Sequence, residues 1–123
     1  RMYTKIAYDH FMNPRNAYLM DSSNGEGQVG DPACGDSLML FIRVENNIIE
    51  EASYLVFGCP ASIATSSMTS VMVKGKTLEE ALSIKEQDII DALGGLPKGK
   101  EHCSNLGVSA LRKAIKTYKE NCK

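Results

Sequence analysis

The sequence has little net charge of either sign, no long apolar run and no closely spaced cysteine pair, and each shortage removes a class of function. Its 14 Lys and Arg against 15 Asp and Glu leave a formal charge of -1, so no global field is available to hold a polyanion. Neither nucleic acid nor a membrane is therefore an expected partner. No apolar stretch approaches the ~20 residues needed to cross a bilayer, and the first residues lack the basic-then-apolar order of a secretory signal. The expected compartment is the cytoplasm. Repeats and low-complexity segments are also missing, which leaves one domain spanning residues 1–123, with 43% hydrophobic residues to build its core.

Periodicity gives the expected elements. Thr4 caps a short helix over residues 4–12, with Ile6, Ala7, His10 and Phe11 near one face, and Asn13-Pro14 ends it. The segment from Asp21 to Gly35 contains Gly25, Gly27, Gly30 and Pro32 and reads as loop or edge strand. Leu38, Leu40, Ile42 and Val44 alternate with Met39, Phe41 and Arg43, the period of a strand; Asn46-Asn47 supplies a turn and residues 48–57 return as the second arm. A helix follows Pro60, with Ile63, Ala64, Ser67, Met68, Val71 and Met72 at helical offsets, and Gly75 closes it. Thr77 with Glu80, and Ser83 with Glu86, read as capping boxes for two short helices. Leu106, Ala110, Leu111, Ala114, Ile115 and Tyr118 form the apolar stripe of a long C-terminal helix. Strands early and helices late give an α+β fold: a small antiparallel sheet of about three strands packed against helices.

Four cysteines in a reducing compartment call for an explanation other than disulfides. Cys122 lies in a charged tail and reads as incidental. Cys34, Cys59 and Cys103 fall at expected element ends, the last two near helix N-termini, where unpaired N–H groups and the positive dipole end favour thiolate. Asp36 stands two residues from Cys34, and His102 adjoins Cys103. Three thiolates with a carboxylate and an imidazole suit a soft metal centre, which includes zinc, copper(I) and iron–sulfur clusters. The separations, 25 residues from Cys34 to Cys59 and 44 from Cys59 to Cys103, are unlike those of a zinc finger. His10 reads as a helix-face residue and the Met68/Met72 pair as core.

Four segments carry a more specific likeness: Tyr8-Asp9-His10-Phe11-Met12-Asn13-Pro14-Arg15-Asn16, Gly30-Asp31-Pro32-Ala33-Cys34-Gly35-Asp36, Phe57-Gly58-Cys59, and Leu96 to Ser104 around His102-Cys103. Across nearly its whole length the chain resembles the IscU/NifU-type iron–sulfur cluster assembly scaffolds. The resemblance implies a compact α+β fold and assembly of a transient [2Fe–2S] cluster from iron and from sulfur delivered by a cysteine desulfurase. It further implies transfer of that cluster to apo acceptor proteins. Its implied ligand residues are Cys34, Asp36, Cys59, His102 and Cys103, and zinc can take the same site in the apo form. Two departures stand out. Leu96-Pro97-Lys98-Gly99-Lys100 replaces the Leu-Pro-Pro-Val-Lys segment of members served by a dedicated Hsp70-type chaperone, so that partner is not carried over. Pro60 follows Cys59 where glycine is usual. No long insertion separates Cys59 from Cys103, unlike the SufU branch, and the chain is similar to the scaffold module alone.

On this reading the protein is an assembly scaffold and sulfur acceptor, and not an enzyme. Two alternatives draw on the same residues, one as a ligand set and one through a single thiol. A zinc-binding regulatory partner of a desulfurase would hold zinc and reject iron and sulfide. A sulfurtransferase would turn over a sulfur donor without iron through one nucleophilic thiol such as Cys103.

Overall fold

The computed structural model of the chain describes residues 3–31 and 35–122. Helix α1 (Lys5–Met12) is followed by three strands, β1 (Gly25–Asp31), β2 (Asp36–Glu45) and β3 (Ile48–Phe57). Helices α2 (Pro60–Val73), α3 (Leu78–Leu82) and α4 (Glu86–Ala92) come next, then a 3-10 turn (Glu101–Cys103) that runs into α5 (Ser104–Asn121). The strands form an antiparallel meander in the order β1-β2-β3. The α+β architecture expected from the sequence is the one observed, and the glycine-rich segment is the edge strand β1.

One face of the sheet carries the core. Leu38, Leu40, Ile42 and Val44 of β2 are paired with Val56, Tyr54, Ala52 and Ile49 of β3, and the four β2 residues are all buried. A register shift between Arg43 and Val44 makes that last pairing possible. Without it Glu50, which is exposed, would fall on the core face in place of Ile49. Asn46 and Asn47, at φ 53° and 66°, make the two-residue turn before it. On β1 the same face holds Gly25, Gly27 and Val29. The two glycines let α5 come close: a Cβ on Gly25 would lie 2.5 Å from the carbonyl oxygen of Ala114, and one on Gly27 2.7 Å from the Ala114 nitrogen. The α5 stripe then fills the space over the sheet, with Leu106, Ala110, Leu111, Ala114 and Ile115 buried.

Helix α2 differs from its sequence reading. The apolar spacing places a core face on Ile63, Ala64, Ser67, Met68, Val71 and Met72, yet Val71 is exposed while Ser62, Thr65, Ser66, Thr69 and Ser70 are fully buried. The helix is central, covered by β3, α1 and α5. Small hydroxyl residues allow this because most of them satisfy themselves on their own helix. Ser62 donates to the carbonyl of Cys59 at 2.7 Å, Thr69 to that of Thr65 at 2.7 Å and Ser70 to that of Ser67 at 2.7 Å.

The N-terminal motif docks on that hydroxyl face. His10 Nδ1 lies 2.7 Å from Ser67 Oγ, the Arg15 N–H donates to the same oxygen at 2.9 Å, and Asn16 Nδ2 donates to Ser70 Oγ at 3.0 Å. His10 is thus a buried anchor, as its helix-face reading implies, whereas Ile6 is 47% exposed and does not share the buried face. The Thr77/Glu80 capping box is present. The second box is displaced: Ser83 donates its hydroxyl to the Glu80 carbonyl and closes α3, and Asp88 accepts the Lys85 N–H to open α4. Among the described residues no helix is long and apolar enough to cross a membrane.

Candidate metal centre

Three element ends distant in sequence meet here. Asp36 opens β2, Cys59 is the residue before α2, and Cys103 closes the 3-10 turn and precedes α5. Pro60 is well placed at the first position of α2, where its missing N–H costs nothing and its fixed φ suits the helix. Cys59 is extended, at φ -79° and ψ 168°, and its side chain makes no cap bond, which leaves its sulfur to face Asp36 and Cys103. Asp36 instead serves the helix start. Its Oδ1 accepts the Cys59 N–H at 3.0 Å, which sets a carboxylate at the positive end of α2.

The other Asp36 oxygen, Oδ2, accepts from Cys59 Sγ at 3.2 Å, and Cys59 Sγ is 3.9 Å from Cys103 Sγ. One ligand atom from each of Asp36, Cys59 and Cys103 lies within 4.8 Å of the others. That is the spacing of donors around one ion or one small cluster, and two sulfurs with one oxygen suit zinc or iron. Two of the three donors are withdrawn from the surface: Cys103 is 0% and Asp36 4% exposed, with Cys59 half-buried. Thr65 Oγ1, on the buried face of α2, donates to the Cys103 carbonyl at 3.4 Å and ties the two helix starts together.

Three of the five residues expected from the sequence are therefore brought together. His102 is exposed and adjoins the group, with Nε2 3.9 Å from Cys103 Sγ. Cys34 lies outside the described residues, next to Gly35 and Asp36. Cys122 is exposed at the other end of an 18-residue helix, about 27 Å along its axis from Cys103.

Two neighbours were not evident in the sequence. Tyr3 is packed against the core close enough to the thiols to feel them. Burial, then the charge of Cys59, push its phenol above the ordinary range, Lys100 pulls it down and Cys103 pushes it up again. The second is Gly58, whose bare Cα gives Asp36 the room to reach Cys59. The pairing of a glycine with the motif cysteine was visible, but the residue it makes room for lies 22 positions upstream, at 36 against 58.

Comparison with known proteins extends over the same span. The profile of the NifU-like N terminal domain matches residues 2–123. The iron-sulfur cluster assembly scaffold protein IscU 1 of Archaeoglobus fulgidus is 52% identical over 117 residues, which is 95% of this chain and 76% of that protein. The IscU scaffold protein of Aquifex aeolicus is 48% identical over 118 residues, 94% of this chain and 75% of that one. The crystal structure of a nitrogen-fixing NifU-like protein (N-terminal) from Brucella abortus superposes with a TM-score of 0.75 over 97% of this chain and 95% of its own, at 17% identity, a likeness of fold.

Proposed function

The chain belongs to the family of NifU-like N-terminal domains, and on that premise we propose that it is a scaffold on which an iron–sulfur cluster is assembled and from which it is passed on. The observation that carries the proposal is the convergence of Asp36, Cys59 and Cys103, with Asp36 and Cys103 buried and Cys59 half-buried. Cys59 and Cys103 hold the cluster through thiolates, Cys34 supplies the third sulfur, and Asp36 or His102 completes the set. The cluster is cargo, a [2Fe–2S] unit built from iron and from sulfur delivered as a persulfide by a cysteine desulfurase. Sulfane sulfur needs two electrons to become sulfide, and an external reductant supplies them. Apo iron–sulfur proteins accept the product. The protein acts in the cytoplasm as one domain spanning residues 1–123, as a scaffold and sulfur acceptor and not as an enzyme.

A scaffold must hold its cargo firmly enough to complete it and loosely enough to release it. Ligands drawn from three element ends, one of them a hard carboxylate among soft sulfurs, support that compromise. The same S,S,O group favours zinc binding by the apo protein as a second occupancy of one site. Anaerobic reconstitution with iron, a desulfurase, cysteine and dithiothreitol tests the function. Visible charge-transfer absorption should appear on the protein and move to an added apo-ferredoxin. Tight zinc that blocks iron and sulfide under all conditions would refute the scaffold reading in favour of a zinc module.

A further inference from the structure

Gly58 joins the end of β3 to Cys59, and its backbone lies outside the left-handed region, so no turn demands a glycine there. Space demands it. A Cβ on Gly58 would fall well inside contact distance of Asp36 Oδ1 and Cγ, and 2.6 Å from Ser62 Oγ. The Ser62 hydroxyl can turn aside by rotation about one bond, at the loss of its hydrogen bond to the Cys59 carbonyl. The Asp36 carboxylate has less choice, because it holds the Cys59 N–H at 3.0 Å with Oδ1 and meets Cys59 Sγ at 3.2 Å with Oδ2. A methyl group at residue 58 cannot coexist with both of those contacts.

We propose that Gly58 is a positioning residue for the metal centre, acting through Asp36: its missing side chain is the slot in which the carboxylate lies, one oxygen fastened to the backbone of Cys59 and the other turned to the thiols. The inference rests on Asp36, Cys59 and Cys103 being metal ligands. It adds that Asp36 binds through one oxygen, since the other is committed to the start of α2, and that the residue at 58 decides whether this ligand is available. Alanine at 58 should therefore act as a removal of the carboxylate from the site while the carboxylate is still in the chain.

The experiment compares wild type, Asp36→Ala, Gly58→Ala and the double variant, using zinc affinity by chelator competition and the absorption spectrum of the cobalt(II) form. Each single substitution should weaken zinc by about 10- to 100-fold, the range for disturbed metal-site support. The double variant should match Asp36→Ala within about 2-fold, because the two changes remove one interaction. The cobalt spectrum of Gly58→Ala should coincide with that of Asp36→Ala and keep its thiolate charge-transfer bands, which a general loosening of the fold would not produce. An Asp36→Ala protein with wild-type zinc affinity would remove the ligand assignment itself. A weakened Asp36→Ala beside a wild-type-like Gly58→Ala, or penalties that multiply in the double variant, would overturn the role of Gly58 alone. Should Gly58→Ala fail to fold, the double variant must fold and bind zinc as Asp36→Ala does, and a double variant that stays unfolded overturns the proposal.

Discussion

Replacing Gly27 by alanine adds one methyl group to the middle of an edge strand, where such a change ordinarily stabilises a protein by up to ~1 kcal/mol through the unfolded chain. Here the opposite sign is expected. The new Cβ would sit 2.7 Å from the Ala114 nitrogen and 2.8 Å from Lys113 Cβ, and closer still to the Ala110 carbonyl. Ordinary contact needs ~3.5 Å, so α5 must retreat by roughly 0.8 Å or the strand must bend away. Overpacking of this kind costs about 1–3 kcal/mol, and at this chain length each kcal/mol lowers Tm by about 3–5 °C. A fall of roughly 3–15 °C in the apo protein follows. Gly30→Ala is the internal control, because on the same strand its Cβ would meet, among the described residues, only the Asp36 carbonyl oxygen, at an ordinary 3.6 Å. Thermal unfolding of both variants measures the difference, and a zinc titration reads its effect on the site, since the displaced helix is the one that Cys103 precedes. Gly27→Ala should bind zinc more weakly than Gly30→Ala. A Gly27→Ala protein as stable as Gly30→Ala would refute the claim that α5 rides on bare backbone.

Cys59→Ser and Cys103→Ser should each abolish a stable reconstituted cluster, as should Cys34→Ser on the sequence motif, while Cys122→Ser leaves it unchanged; iron and sulfide content after desalting decides, and loss confined to Cys122→Ser would reverse the ligand assignment. Thiol alkylation of the apo protein should proceed in the order Cys122, Cys59, Cys103, following their exposed, half-buried and buried settings, and zinc should protect Cys59 but not Cys122. Peptide mass mapping over time would show the order. Burial, then the nearby Arg15, hold the His10 imidazole below its ordinary pKa, with Asp9 opposing. The unfolded chain therefore binds the proton more readily, so native stability should be full above the ordinary histidine value of ~6.5 and decline as pH falls through it towards the lower folded value. Urea midpoints across that interval should lose part of their pH slope in His10→Asn, and an unchanged slope would place the titration elsewhere.

The sheet and the terminal helix were legible in the sequence because each buries one face. Leu38 to Val44 alternate on one side of β2, and the α5 stripe from Leu106 to Ile115 keeps helical period, so a two-state pattern of apolar and polar positions locates the core. Helix α2 was mis-assigned on one side because it has no solvent face for most of its length, and serine or threonine at a buried position looks polar until its hydroxyl is seen to bond its own helix. The Lys85 start of α4 was missed because Ser83 offers an equally good cap signal that the fold spends on the end of α3. For the site, turn-like and polar neighbours singled out three of the cysteines, Asp36 and His102 stood beside them as a carboxylate and an imidazole, and the likeness of motif made the same five residues the implied ligands. Which of these stand together is a matter of tertiary geometry. Asp36 is drawn in by the Cys59 N–H and by the room beside Gly58, and neither is written in local sequence.

The three donors of the candidate centre are separated by 23 residues between Asp36 and Cys59 and by 44 between Cys59 and Cys103. An ion or cluster bound to all of them is thus a cross-link that closes two loops of the chain. In the chain-entropy picture, closing loops of that size removes on the order of 3–4 kcal/mol of freedom from the unfolded chain for each closure. Cargo and staple are then the same object. A scaffold built in this way gives up part of its own reinforcement whenever it hands the cluster on, and the acceptor takes delivery from a chain that becomes easier to open in the act of giving.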